Sequence, residues 1–138
     1  MKRVLLLAVA VVLAFVVFTA WALESGGVAV VETQRPDGSI RSTHVWLAQH
    51  EGTLWLEAGT PENGWFRDVQ AAPLVWLTLD GHRTRHRAEP IREPAGHTQI
   101  RSLLREKYGV RDWWVALIFD TSRSVAVRLL PGEEAATP

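Results

Sequence analysis

The pattern of apolar and polar positions opens with an uninterrupted block. Val4 to Leu23, "VLLLAVAVVLAFVVFTAWAL", carries no charge and no polar face. About 20 apolar residues can span a bilayer as a helix. A buried helix of a folded domain would show a polar stripe, and this segment has none. After Glu24-Ser-Gly-Gly the pattern changes to short alternating runs with the period of strands. Gly27 to Thr33, "GVAVVET", predicts a first strand. Ile40 to Gln49, "IRSTHVWLAQ", predicts a second, with Ile40, Ser42, His44 and Trp46 on one face. Thr53 to Ala58, "TLWLEA", predicts a third. Asp37-Gly38 lies between the first two and is a strong hairpin signal. The three strands are expected to form a meander.

A loop rich in Gly and Pro follows and runs into Trp65. Residues Trp65 to Ala72 predict a helix of two turns, stopped by Pro73. Leu74 to Leu79, "LVWLTL", is largely apolar and is expected to be a strand buried on both faces. Asp80-Gly81 predicts another hairpin, into His82 to Ile91, a strand with one wet face. Pro94 to Lys107 predicts a helix with Ile100, Leu103 and Leu104 as its apolar stripe, ended at Gly109. Asp112 to Phe119, "DWWVALIF", reads equally as a capped helix or a strand. Ser124 to Leu130 predicts the last strand. The organisation expected is therefore a membrane or signal segment over 1–23, a linker over 24–27, a domain over 28–131 and a disordered tail over 132–138. The fold class is α+β: a six-stranded antiparallel small barrel with two or three short helices, behind a transmembrane helix.

Composition adjusts this picture in a few places. Lys2 and Arg3 before the apolar block favour a cytoplasmic N-terminus, which puts the domain on the outer side of the inner membrane. Ala20-Trp21-Ala22 has the small-x-small form of a cleavage site, so export after signal removal is the alternative. The chain has no Cys, which excludes disulfides, thiol nucleophiles, Cys metal sites and lipoprotein attachment. Net charge is zero and offers no general attraction to nucleic acid. Beyond Lys2 and Arg3 every basic residue but Lys107 is Arg, a residue suited to phosphate and carboxylate. His82 and His86 are four apart, but on a strand that spacing separates them by some 13 Å. No nucleophile elbow, phosphate-binding P-loop or HExxH motif is present.

Four stretches carry a resemblance: "HVWLAQHEGTLWLEAG", "GWFRDVQAAPLVWLTLDGHRTRHRAEPI", "LLREKYG" and "VAVRLLP". Over roughly Gly27 to Pro131 the chain resembles the split β-barrel flavin-binding superfamily, related to pyridoxamine-phosphate oxidases. Within it the match looks like the deazaflavin-dependent nitroreductase and quinone reductase group. Its most specific part is a Trp and a basic residue opening a short helix that ends in Ala-x-Pro or Asn-Pro before a Val-rich strand. The resemblance implies a six-stranded split barrel, often a homodimer, with FMN or the deazaflavin F420 in a groove at its side. It implies Arg41, Ser42 and Thr43 at the cofactor phosphate, and Gly59, Thr60, Trp65 and Arg67 along the ring-side wall. The chain departs from the pattern in "RPDGSIRS", where the family has "GRxSG", and in Asp68 and Ala72, where the family has Asn.

Each residue also has a plainer reading. Arg41-Ser42-Thr43 supplies the charge and hydroxyl donors that phosphate needs, and equally suits a solvated strand face. Trp65 would cover a flavin ring or pack in the core. Arg67 would meet a phosphate or pair with Asp68 or Glu62. Trp46, Trp55 and Trp76 read as core or dimer interface, Trp113 and Trp114 as packing or as a lining of the membrane-proximal or substrate side. Two functions stay open: a membrane-anchored oxidoreductase reducing a small acceptor, a quinone or nitro compound, or a non-catalytic module binding a small ligand or a membrane protein.

Overall fold

The structure is a computed structural model that describes residues 1–132. The expected tail therefore lies outside the described residues, Gly132 excepted. Eleven elements follow in order: α1 Lys2–Glu24, β1 Ala29–Gln34, β2 Ile40–Val45, β3 Leu47–His50, β4 Thr53–Ala58, α2 Gly64–Ala71, β5 Leu74–Leu79, β6 His82–Ile91, α3 Pro94–Tyr108, α4 Val110–Ile118 and β7 Val125–Pro131.

The strands form one antiparallel sheet in the order β2-β1-β5-β6-β7-β4-β3. Its two edges, β2 and β3, are joined through Trp46 alone. A single linking residue can bridge only about 7 Å. The sheet must therefore curl until its edges meet, which makes a barrel split at Trp46. This corrects the expected strand count from six to seven. The predicted second strand breaks because its halves pair with different partners: β2 with β1, and β3 with β4. Trp46 turns aside at the break, donating Nε1–H to the Leu23 carbonyl at 3.0 Å and stacking on Tyr108 at 4.4 Å. The expected meander holds pair by pair, β1 with β2 and β3 with β4, but it is interrupted at Trp46.

The turns follow their chemistry. Asp80-Gly81 and Glu51-Gly52 have positive φ at both positions, +50° and +79°, and +49° and +76°. That geometry makes a two-residue hairpin match the twist of its strands. β5 is not buried on both faces: Val75 and Leu77 point inward, whereas Leu74 and Trp76 point out. An antiparallel sheet can leave one face wet, and here Arg83 lies over the Trp76 ring at 4.0 Å.

Two apolar clusters hold the barrel. Val31, Leu56, Phe66, Val69, Leu77 and Val127 fill its interior, with α2 as the plug. Ile100, Leu104 and Tyr108 of α3 cover Ala48, Trp55 and Ala126 outside it. Truncating a residue such as Phe66 to Ala in such a core costs about 3–5 kcal/mol.

The ambiguous segment is helical. Asp112 decides it: wholly buried in the first turn of α4, it accepts from Arg101 of α3, which also donates to both oxygens of Glu57 on β4 at 2.9 and 3.1 Å. A strand could not place Asp112 there and also pack Trp114 against α1.

The 18-residue apolar window of α1 holds no buried residue and has mean hydropathy 2.9, whereas Ala22 beside the domain is buried. Its last turns are fastened to the domain. Trp114 Nε1 donates to Thr19 Oγ1 at 3.1 Å, His44 Nδ1 meets Glu24 Oε2 at 3.0 Å, and Arg111 Nη1 donates to Ser25 Oγ at 3.0 Å. One long, apolar, exposed helix near the N-terminus is the form of a membrane anchor or of a signal sequence.

Candidate functional site

α2 is the element that positions the predicted site. Trp65, Phe66 and Val69 form its apolar side and are buried in the barrel. Ala72 leaves the helix in an extended conformation, as the residue before Pro73 must. At the other end, the Asn63 side chain does not cap the helix. Its Oδ1 accepts from Thr60 Oγ1 at 2.9 Å instead, closing the loop that follows Gly59. The first amides of α2 are thus left without a side-chain acceptor.

Arg41 arrives at this helix end from β2. Its Nε donates to Asp68 Oδ2 at 2.7 Å, and Thr33 Oγ1 donates to the same oxygen at 2.9 Å. Asp68 is only 4 % exposed. The guanidinium lies flat over Gly64: a Cβ there would sit 2.8 Å from Arg41 Cζ and Nη1. Only glycine admits so close an approach. Arg41 Nη1 and Nη2 make no hydrogen bond among the described residues and the side chain keeps 33 % exposure, so two N–H edges of the fork face outward. Arg67 follows Gly64 by three residues, the spacing of one helix face. It is exposed and forms no ion pair among the described residues. Both expected partners are engaged elsewhere, Asp68 by Arg41 and Glu62 by Arg123.

The predicted residues therefore divide. Arg41 and Thr43 share a face of β2, opposite the buried Thr33 and Val31. Ser42 points the other way, beside Glu32 and on the side of His44. Gly59 and Thr60 lie in the loop that delivers α2, near the Arg41 end by chain continuity. Trp65 is 2 % exposed and packs edge-on against Phe66, which makes its indole barrel core. Among the other tryptophans, Trp55 is buried under α3, while Trp76 is on the outer surface.

A separate cleft lies elsewhere. It encloses about 630 Å³ between the Gly26-Gly27 link, β3 and the end of α3, with Asp80, Glu106 and Lys107 on its wall. Lys107 Nζ donates to the Leu47 carbonyl at 2.6 Å. Burial pushes the Lys107 ammonium below its ordinary value, with the nearby Asp80 charge opposing. The sequence did hold a signal for it: a lone Lys in a domain otherwise supplied with Arg. The register that brings Lys107 beside Gly27 and Leu47 is long-range and was not readable.

No family model matches the chain, and no curated protein does. Solved structures do. A conserved hypothetical protein from Mycobacterium tuberculosis superposes with TM-score 0.62 at 21% identity, over 83% of this chain and 78% of that one. An F420 reductase gives TM-score 0.57 at 19% identity, over 80% and 90%. A FAD-binding protein from Mesorhizobium loti gives 0.57 at 18%, over 85% and 89%. The fold is therefore the split β-barrel shared with these solved structures.

Proposed function

We propose that the chain is a membrane-anchored split-barrel oxidoreductase that holds FMN or a deazaflavin and reduces a small acceptor of quinone or nitro type. The observation that carries the reading is the arrangement of Arg41. Its Nε is fixed on Asp68, its plane rests on Gly64, and its remaining N–H edges are presented at the uncapped start of α2. A preset guanidinium beside free helix amides is suited to an anionic phosphate. Arg67 adds a second cation on the same helix. The solved structures with this fold include an F420 reductase and a FAD-binding protein, which supports a cofactor of the flavin type. The bound group would supply the hydride chemistry; the protein's part is to seat its phosphate and exclude water from its ring. The exposed apolar surface of α1 supports an anchor, which suits a lipid-soluble acceptor. A homodimer belongs to the same reading, and sedimentation in detergent tests it.

The test is a titration of the full chain in detergent with FMN and with F420, followed by absorbance. Uptake of one of them is expected. Arg41→Ala should weaken it by about 10- to 100-fold, the value of a charge-assisted hydrogen bond of ~1.5–3 kcal/mol. Because Arg41→Ala leaves the buried Asp68 carboxylate without its cation, Arg41→Ala/Asp68→Asn is titrated beside it, with circular dichroism confirming that each variant is folded. A chain that takes up neither chromophore would instead be the non-catalytic module. One observation favours that reading: the 630 Å³ cleft beside Lys107 contains none of the residues matched to the cofactor.

A further inference from the structure

α4 is a short helix with an apolar outer face. Val110, Trp113 and Leu117 recur at the spacing of one helix stripe, and Ile118 and Phe119 extend it. Trp113 is 61 % exposed and Leu117 65 %. The opposite side is tied to the domain through Asp112 and Arg101, so α4 cannot roll this face inward. A stripe of this kind, rimmed by Trp and standing free of the core, calls for a partner.

The position of α4 along α1 identifies it. Trp114 contacts Phe15 at 5.5 Å and Phe18 at 4.8 Å between ring centroids, and hydrogen-bonds Thr19. Thr19 and Phe15 precede Leu23, the end of the apolar block, by four and eight residues. At about 1.5 Å per residue those contacts lie ~6 and ~12 Å inside the apolar stretch. An interfacial helix buries its apolar face roughly 5–10 Å into the headgroup and acyl boundary. The α1 surface at that level, Val16, Val17 and Trp21, is exposed and continuous in kind with the α4 stripe.

We propose that α4 is an interfacial membrane helix: its Val110–Trp113–Leu117 face lies in the outer part of the same bilayer that α1 crosses. The proposal rests on the anchor reading of α1 and goes beyond it. A lone anchor leaves the barrel on a swivel. Two helices in contact, one crossing and one lying flat, fix which side of the barrel faces the lipid. Trp21, Trp113 and Trp114 then form the aromatic belt common at membrane boundaries.

The chain has no Cys, so single-cysteine variants of the full chain can be spin-labelled at one site each. Leu117→Cys and Trp113→Cys report the α4 face, Val11→Cys the middle of α1, and Arg85→Cys an exposed strand position. The proteins are reconstituted into vesicles of phosphatidylcholine and phosphatidylglycerol. Collision of the label with oxygen, which concentrates in lipid, is compared with collision with a water-soluble nickel chelate. Positions 113 and 117 should collide more with oxygen than with nickel, as position 11 does, and position 85 the reverse. Nickel-dominated collision at 113 and 117 with oxygen-dominated collision at 11 overturns the proposal and leaves the anchor standing. Nickel-dominated collision at 11 overturns the anchor and the proposal together. Low collision with both agents at 113 and 117 means that a second copy covers the face, and overturns the proposal as well.

Discussion

Arg101 neutralises two carboxylates at once, and its removal has a size that can be worked out. Asp112 is 0 % exposed and the Glu57 side chain 10 %. Arg101→Met keeps the aliphatic packing but leaves both acids buried without their cation. Breaking a buried ion pair in this way costs about 3–5 kcal/mol. Arg105 cannot restore it. Its Nε lies 3.8 Å from Asp112 Oδ2, too far for a hydrogen bond, on a side chain 74 % exposed. A pair of that kind contributes about 0–1 kcal/mol. A net loss of ~2–5 kcal/mol remains, and at roughly 4–8 °C per kcal/mol the melting temperature of a domain this size should fall by about 8 °C or more. Near-ultraviolet circular dichroism of the full chain in detergent is the assay, because it reads tryptophan packing rather than the helicity of α1. Adding Glu57→Gln and Asp112→Leu should recover most of the loss, because a matched apolar or neutral set can replace a buried ionic triad. A melting temperature within a few degrees of the parent, or a triple variant no better than the single one, would refute the reasoning.

Two further outcomes follow from single side chains, Asp68 and His86. Asp68→Asn keeps an acceptor for Arg41 Nε and Thr33 but removes the negative charge behind the proposed phosphate seat. FMN or F420 should bind more tightly, by up to about tenfold or ~1.4 kcal/mol; a weaker titration would mean that Asp68 holds Arg41 by charge rather than by hydrogen bonding. His86 has its imidazole pushed below the ordinary value, chiefly by burial. The unfolded chain then takes up the proton more readily than the native one, so this contribution to stability is present above about pH 6.5 and is lost as pH falls through the native value. His86→Gln should therefore flatten the fall in melting temperature between pH 7 and pH 5; an unchanged slope would remove His86 from the account.

The local elements were legible because their signals are local. Asp80-Gly81 and the alternation of β6 needed only neighbouring residues to be read, and α3 was bounded by Pro94 and Gly109. What failed depended on partners far along the chain. Nothing within "IRSTHVWLAQ" reveals a break at Trp46, because the break exists to let β2 and β3 join opposite edges of one sheet. "DWWVALIF" was undecided between helix and strand because the residue that settles it, Arg101, is eleven positions away on another helix. The site shows the same division. The residue types at Arg41 and the start of α2 could be matched to a pattern, but strand alternation sends Ser42 to the other face. Asp68 read only as a departure from the family's Asn; the structure makes it the group that fixes the Arg41 Nε. Once Asp68 holds that edge of the guanidinium, a neutral amide at the position is no longer needed to orient Arg41. The departure and the retained arginine are two halves of one arrangement, so the departure does not by itself argue against an anion at this end of the barrel.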